Sequence, residues 1–100
     1  SLFQDGTAVE FTGFLEGAPV AVSTLVMTGR TAGVYGVATI PAYRRRGFGE
    51  AMTWRAVREG SERGCVMANL TASDMGRPLY ERMGFRLVAP FLIFARPGRA

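Results

Sequence analysis

The spacing of apolar positions changes character near residue 40. From Val9 to Leu15, "VEFTGFL" alternates apolar and polar, as a strand with one buried face does. "EGAPV" then carries turn chemistry at Gly17 and Pro19. "VAVSTLVM" (Val20–Met27) is rich in β-branched residues and predicts a second strand. "TGRTAG" turns the chain again, and "GVYGVATI" (Gly33–Ile40) predicts a third strand, so residues 9–40 read as an antiparallel meander.

From Glu50 to Arg63 the alternation is gone and good helix formers take over. On a helical wheel Gly49, Met52, Thr53, Ala56, Val57, Gly60 and Gly64 share one face. Glu50, Arg55, Arg58, Glu59 and Glu62 fall on or near the other, and Trp54 lies on that polar side. The small inner face predicts a helix seated close on a sheet, with Gly64 as its stop. "CVMANLTA" (Cys65–Ala72) predicts the next strand, and strand, helix and strand in this order imply a right-handed crossover between parallel neighbours. "SDMGRPLYERMGF" predicts a second helix. Ser73 or Asp74 would cap it, Pro78 lies near its first turn, Met75, Leu79 and Met83 form its buried stripe, and Gly84 ends it. "FRLVAPFLIFARP" predicts two short strands broken at Pro90. The expected fold is α+β: one mixed, mostly antiparallel sheet with a single parallel strand–helix–strand crossover.

Composition narrows the chemistry. A chain of 100 residues with 48% hydrophobic content makes one small globular domain, with no apolar run near the ~20 residues a membrane span needs. The single Cys65 excludes an internal disulfide and fits a reducing, cytoplasmic compartment. With no His to activate it, Cys65 reads as a buried structural thiol. The absence of His also excludes His triads and His metal sites, and no metal is expected. All 12 basic residues are Arg, so a Schiff-base lysine or a Walker lysine is excluded too. The net charge of +4 suits an anionic partner. One short Arg cluster with no basic stripe argues against nucleic acid.

That cluster is the chemistry-bearing stretch. "RRRGFGEA" joins the third strand to the first helix. Gly47 and Gly49 let backbone approach a ligand. The first N–H groups of the helix have no partner within it and carry the positive end of its dipole. Arg44, Arg45 and Arg46 add bidentate charge, so the turn reads as an anion site, most often for phosphate. It does not satisfy G-x-G-x-x-G, because Met52 occupies the third glycine position.

Two segments together resemble the GNAT superfamily of acyl-CoA N-acyltransferases. "GVATIPAYRRRGFGEAM" is similar to that family's strand, P-x-x-R-x-x-G-x-G turn and helix. "ASDMGRPLYERMGF" is similar to its later A-S and L-Y-x-x-x-G-F signature, and the spacing between the two also fits. The resemblance covers roughly residues 9–96. It implies acetyl-CoA as co-substrate, with its pyrophosphate on the backbone of Arg45, Arg46, Gly47, Phe48, Gly49 and Glu50. Arg44, Arg45 and Arg46 would shape the turn or meet the 3′-phosphate. Val37, Ala38 and Thr39 would pair with the pantetheine arm, and this strand would splay from the one at Val66–Ala72 to leave a slot for the thioester. Asn69 would contact the cofactor. Tyr80 would donate a proton to the departing thiolate, for which a phenol is a suitable acid.

The sequence departs from the family at the general base. Where some members carry a Glu, this chain has Gly33; Tyr35 is the only titratable side chain on that strand. Glu10 and Glu16 are carboxylates that the pattern does not place; a water chain, an amine of low pKa or a base from a missing segment would serve as well. The N-terminal strand and helices of the family are missing, so residues 1–100 are expected to be one acetyltransferase domain, the C-terminal part of a longer protein. The expected activity is transfer of acetyl to a primary amine, small-molecule or peptide, by direct attack in a ternary complex. The alternative is a non-catalytic acyl-CoA-binding module. No membrane or nucleic-acid partner is expected. A homodimer contact or the missing N-terminal segment would cover the surface around Trp54.

Overall fold

The computed structural model describes residues 6–72, 76–88 and 91–95. Its elements are β1 (Gly6–Leu15), β2 (Ala18–Thr28), β3 (Thr31–Thr39), a 3-10 turn (Pro41–Tyr43), α1 (Phe48–Glu62), β4 (Met67–Leu70), α2 (Arg77–Arg82), β5 (Arg86–Val88) and β6 (Phe91–Ala95). They form one six-stranded sheet in the order β1-β2-β3-β4-β6-β5. Among the described residues only β3 and β4 run parallel, joined through α1; the other pairs are antiparallel.

The meander is as expected, with longer strands. Glu16 and Gly17, both at positive φ, make the first two-residue turn, so Pro19 lies inside β2, opposite Phe14 beside a register irregularity. A proline N that donates no hydrogen bond is tolerated at such a break. The predicted strand at Cys65–Ala72 narrows to Met67–Leu70. The second helix is shorter than predicted, running from Arg77 to Arg82 with Pro78 in its first turn, and Gly84, φ 108°, follows its end. Its expected caps Ser73 and Asp74, its stripe residue Met75 and the break at Pro90 lie outside the described residues.

One face of the sheet holds the core. Leu25, Met27, Ala32, Val34, Ala68, Leu70 and Leu92 meet Ala56 and Val57 of α1, with Met83 and Phe85 from the end of α2. Burial of Leu25, at 0% exposure, and its neighbours provides the main driving force. α1 sits close because Gly60 faces the strand: a Cβ there would stand 2.7 Å from Cβ of Ala32. Ser23 Oγ, buried on β2, donates to the Met52 carbonyl at 3.0 Å and ties helix to sheet. Met52, Thr53, Ala56, Val57 and Gly60 form the buried face of α1. Gly49 is only half-buried and Gly64 is exposed, because the helix ends overhang the sheet. Trp54 corrects the wheel more sharply. It is half-buried, edge-on to Phe94 at 5.5 Å between ring centroids, because β6 lies under that flank of α1. On the solvent side Glu59 bridges Arg55 and Arg63, and Arg63 followed by Arg55 holds its carboxyl below the usual range.

Candidate functional site

β3 and β4 are paired over only three rungs, Thr31–Met67, Ala32–Ala68 and Gly33–Asn69. Beyond Gly33 their described residues no longer pair. The separation starts where β3 changes register against β2: Thr24 faces Tyr35, but Val22 faces Ala38, so β3 carries one extra residue. Gly36 supplies the bend, with φ 61°. Such a bulge re-aims the side chains that follow. Val37 turns to the core side, packing near Val20, Ala21 and Met52, while Ala38 is exposed on the opposite face.

A cleft opens at the split. It is lined by Val34, Tyr35, Gly36, Val37, Leu70, Thr71 and Tyr80. Tyr80 is brought there by α2, its half-buried ring edge-on to Phe85 at 5.9 Å. No hydrogen bond to its hydroxyl is formed among the described residues.

A second cleft adjoins the end of β3. Thr39, Arg44, Arg45, Gly47, Phe48, Gly49 and Glu50 line one side, with Tyr43, and α2 supplies Leu79 and Arg82 on the other. The turn is held from within. Arg44 Nε donates to the Thr39 carbonyl at 3.1 Å, and Arg46 lies over the Tyr43 ring at 5.3 Å. Of the three arginines, Arg44 therefore shapes the turn, and Arg46 does not line the cleft. Arg45 lines it with its backbone in the left-handed region, φ 64°, a conformation a side-chain-bearing residue adopts at a cost of about 1–3 kcal/mol.

α1 opens at Gly47, φ 88°, with no side-chain cap. Its first hydrogen bond runs from the Ala51 N–H to the Gly47 carbonyl, so the N–H groups of Phe48, Gly49 and Glu50 precede the ladder. A Cβ at Gly47 or Gly49 would meet nothing within 4 Å. The two glycines therefore leave open space in the cleft that Gly47, Phe48, Gly49 and Glu50 line. Uncapped N–H groups, the dipole end and nearby guanidinium groups fit an anionic group. The conformational demand for glycine falls on Gly47; Gly49 is already helical and contributes open space. Glu50 is exposed and lines the cleft.

Three sequence candidates fall elsewhere. Asn69 lies opposite Gly33 on the sheet face away from α1, outside the residues that line the cleft. Glu10 is on that same outer face, in register with Thr24, which is in register with Tyr35. Glu16 sits in the first turn. Sequence reasoning passed over Arg82, whose only signal is its place three residues after Leu79 on α2. Cys65 is buried, and burial pushes its thiol up, against a smaller opposing pull from Arg30, as a structural thiol requires. Among the described residues no group of three potential ligand side chains forms a metal site, and no helix is long and apolar enough to cross a membrane.

A parted parallel strand pair, an uncapped start to the crossover helix and a tyrosine at the split stand together in this α+β domain. A profile described as Acetyltransferase (GNAT) family matches residues 2–85, and the chain belongs to that family. No curated protein matches it. Solved structures show the same fold at low identity. An acetyltransferase from Bacillus cereus superposes with TM-score 0.82 at 18% identity, covering 94% of this chain and 76% of that one. The PaiA N-acetyltransferase of Thermoplasma acidophilum, in complex with coenzyme A, gives 0.81 at 14%, covering 88% and 60%. A Trypanosoma brucei acetyltransferase gives 0.73 at 27%, covering 81% and 63%. The chain thus spans about two thirds of these proteins.

Proposed function

We propose that this chain binds acetyl-CoA and transfers its acetyl group to a primary amine by direct attack in a ternary complex. The observation that carries the reading is the pair of adjoining clefts along β3: an anion cradle at the start of α1, and a strand split lined by Tyr80. A structural neighbour that holds coenzyme A supports the choice of ligand.

On this reading the N–H groups from Arg45 to Glu50 receive the pyrophosphate, with Arg45 and Arg82 flanking it. Val37, Ala38 and Thr39 offer strand edge to the pantetheine arm. The N–H groups near Val37 steady the carbonyl oxygen as it gains charge. The amine nitrogen forms the new bond to the carbonyl carbon, the carbon–sulfur bond breaks, Tyr80 Oη gives its proton to the sulfur, and the nitrogen loses its surplus proton to solvent, from which Tyr80 regains one. Acetyl-CoA use and an unpaired thiol go with a reducing, cytoplasmic setting.

Calorimetry with coenzyme A, acetyl-CoA and desulfo-CoA, followed by thiol release against an amine panel, tests this. Binding with thiol release is the expected result. Binding with no turnover on any amine makes the chain an acyl-CoA-binding module. No binding overturns the reading.

A further inference from the structure

Gly33 closes the last rung before β3 and β4 part, and its missing side chain is replaced by a neighbour's. A Cβ built on Gly33 would stand 2.7 Å from Cε2 and 3.2 Å from Oη of Tyr35. The Tyr35 ring therefore lies back along β3 over Gly33, with its hydroxyl above the last closed rung on the outer face of the sheet. Tyr35 is 44% exposed and makes no hydrogen bond through that hydroxyl among the described residues. Its register partner is Thr24, on the sheet face away from α1. Tyr80 reaches the same cleft from α2, on the core side. Tyr35 and Tyr80 thus line one opening from opposite faces of the sheet.

The geometry points to Tyr35 Oη as the group that receives the acceptor: it accepts a hydrogen bond from the N–H of a neutral primary amine at the outer mouth of the cleft. This rests on the acetyl-transfer reading above. As the nitrogen lone pair bonds to the carbonyl carbon and sulfur leaves with the Tyr80 proton, Tyr35 holds the nitrogen while its surplus proton passes to solvent. Gly33 acts as a positioning residue, since any Cβ there displaces the ring.

The probe is a conjugate in which the coenzyme A sulfur carries –CH2–C(O)–NH–butyl, compared with coenzyme A by calorimetry. The parent chain should bind the conjugate more tightly than coenzyme A. Tyr35→Phe keeps the ring and should reduce that preference about threefold to tenfold, the worth of one hydrogen bond, with coenzyme A affinity unchanged. Gly33→Ala should reduce it as well, although the hydroxyl is still present. A preference unchanged in Tyr35→Phe overturns the inference. So does a parent chain that binds coenzyme A but gains nothing from the conjugate, which leaves coenzyme A binding itself standing. Failure to bind coenzyme A at all removes the acetyl-transfer reading and this inference with it.

Discussion

β3 is two strands in one. Up to Gly33 it lies between β2 and β4, bonded along both edges, with Ala32 pressed against Gly60 of α1. From Val34 onward it keeps only β2, takes an extra residue at Gly36, and borders both clefts. The first half has the chemistry of a core: small and aliphatic residues and satisfied backbone. The second half has free strand edge, glycine, and two tyrosine hydroxyls nearby. A sheet that opens at one end only can keep its stability in the closed end and leave polar backbone available at the other. Parted strands cost little here because the closed rungs and α1 already set their directions.

The comparison breaks if a change in one half is felt in the other. The largest effect is expected in the closed half. Leu25→Ala leaves a cavity under α1 and should lower unfolding free energy by about 2–5 kcal/mol. Coenzyme A affinity of the fraction that stays folded should hold within about twofold, and chemical denaturation beside calorimetry would measure both. A large affinity loss in folded protein would mean that the two halves are one mechanical unit.

In the open half, Tyr80→Phe removes a proton donor and keeps a ring. Turnover should fall by about 10²–10³, with coenzyme A affinity and melting temperature little changed. Unchanged turnover, with chemistry rate-limiting, would assign Tyr80 to packing against Phe85. An equal loss of binding would make it a ligand contact.

Gly49→Val tests the cradle. The branched side chain would enter space that is empty in the structure, while the helical backbone at Gly49 accepts it. At least a tenfold loss in coenzyme A affinity is expected, ~1.4 kcal/mol, with the fold intact. Parent-like affinity would move the phosphate site away from this turn.

The smallest effect concerns Arg82. Arg82→Gln should weaken coenzyme A binding about threefold at low salt, and the difference should shrink as ionic strength rises, because exposed charges are screened. A loss that persists in high salt would show Arg82 acting through its packing beside Leu79, and not through its charge.

Much of this site could be read before any coordinates. Pattern alone separated the meander from the crossover, because strand alternation and helix spacing are local properties of neighbouring residues. Gly47, Gly49 and the arginines marked an anion site for equally local reasons: helix-start N–H groups and absent side chains. Which arginine does what was not legible. Arg44 spends its guanidinium on the Thr39 carbonyl and Arg46 lies over Tyr43, both set by how the 3-10 turn folds back. Arg82 joins them from α2, a partnership between segments far apart in the chain.

Three further facts were decided only in three dimensions. Trp54 looked exposed on a wheel because a wheel does not know that β6 passes beneath one flank of α1. The bulge at Gly36 was invisible because a register shift belongs to two strands at once. The closeness of Tyr35 to Gly33 needed the backbone itself, since a ring can fold along its own strand in more than one direction. The sequence by itself determined the elements, their order and the chemistry of the turn, which depend on residues a few positions apart. Tertiary structure decided where β3 and β4 separate and which tyrosines line the opening, because those depend on how the sheet, its bulge and two helices share one small core.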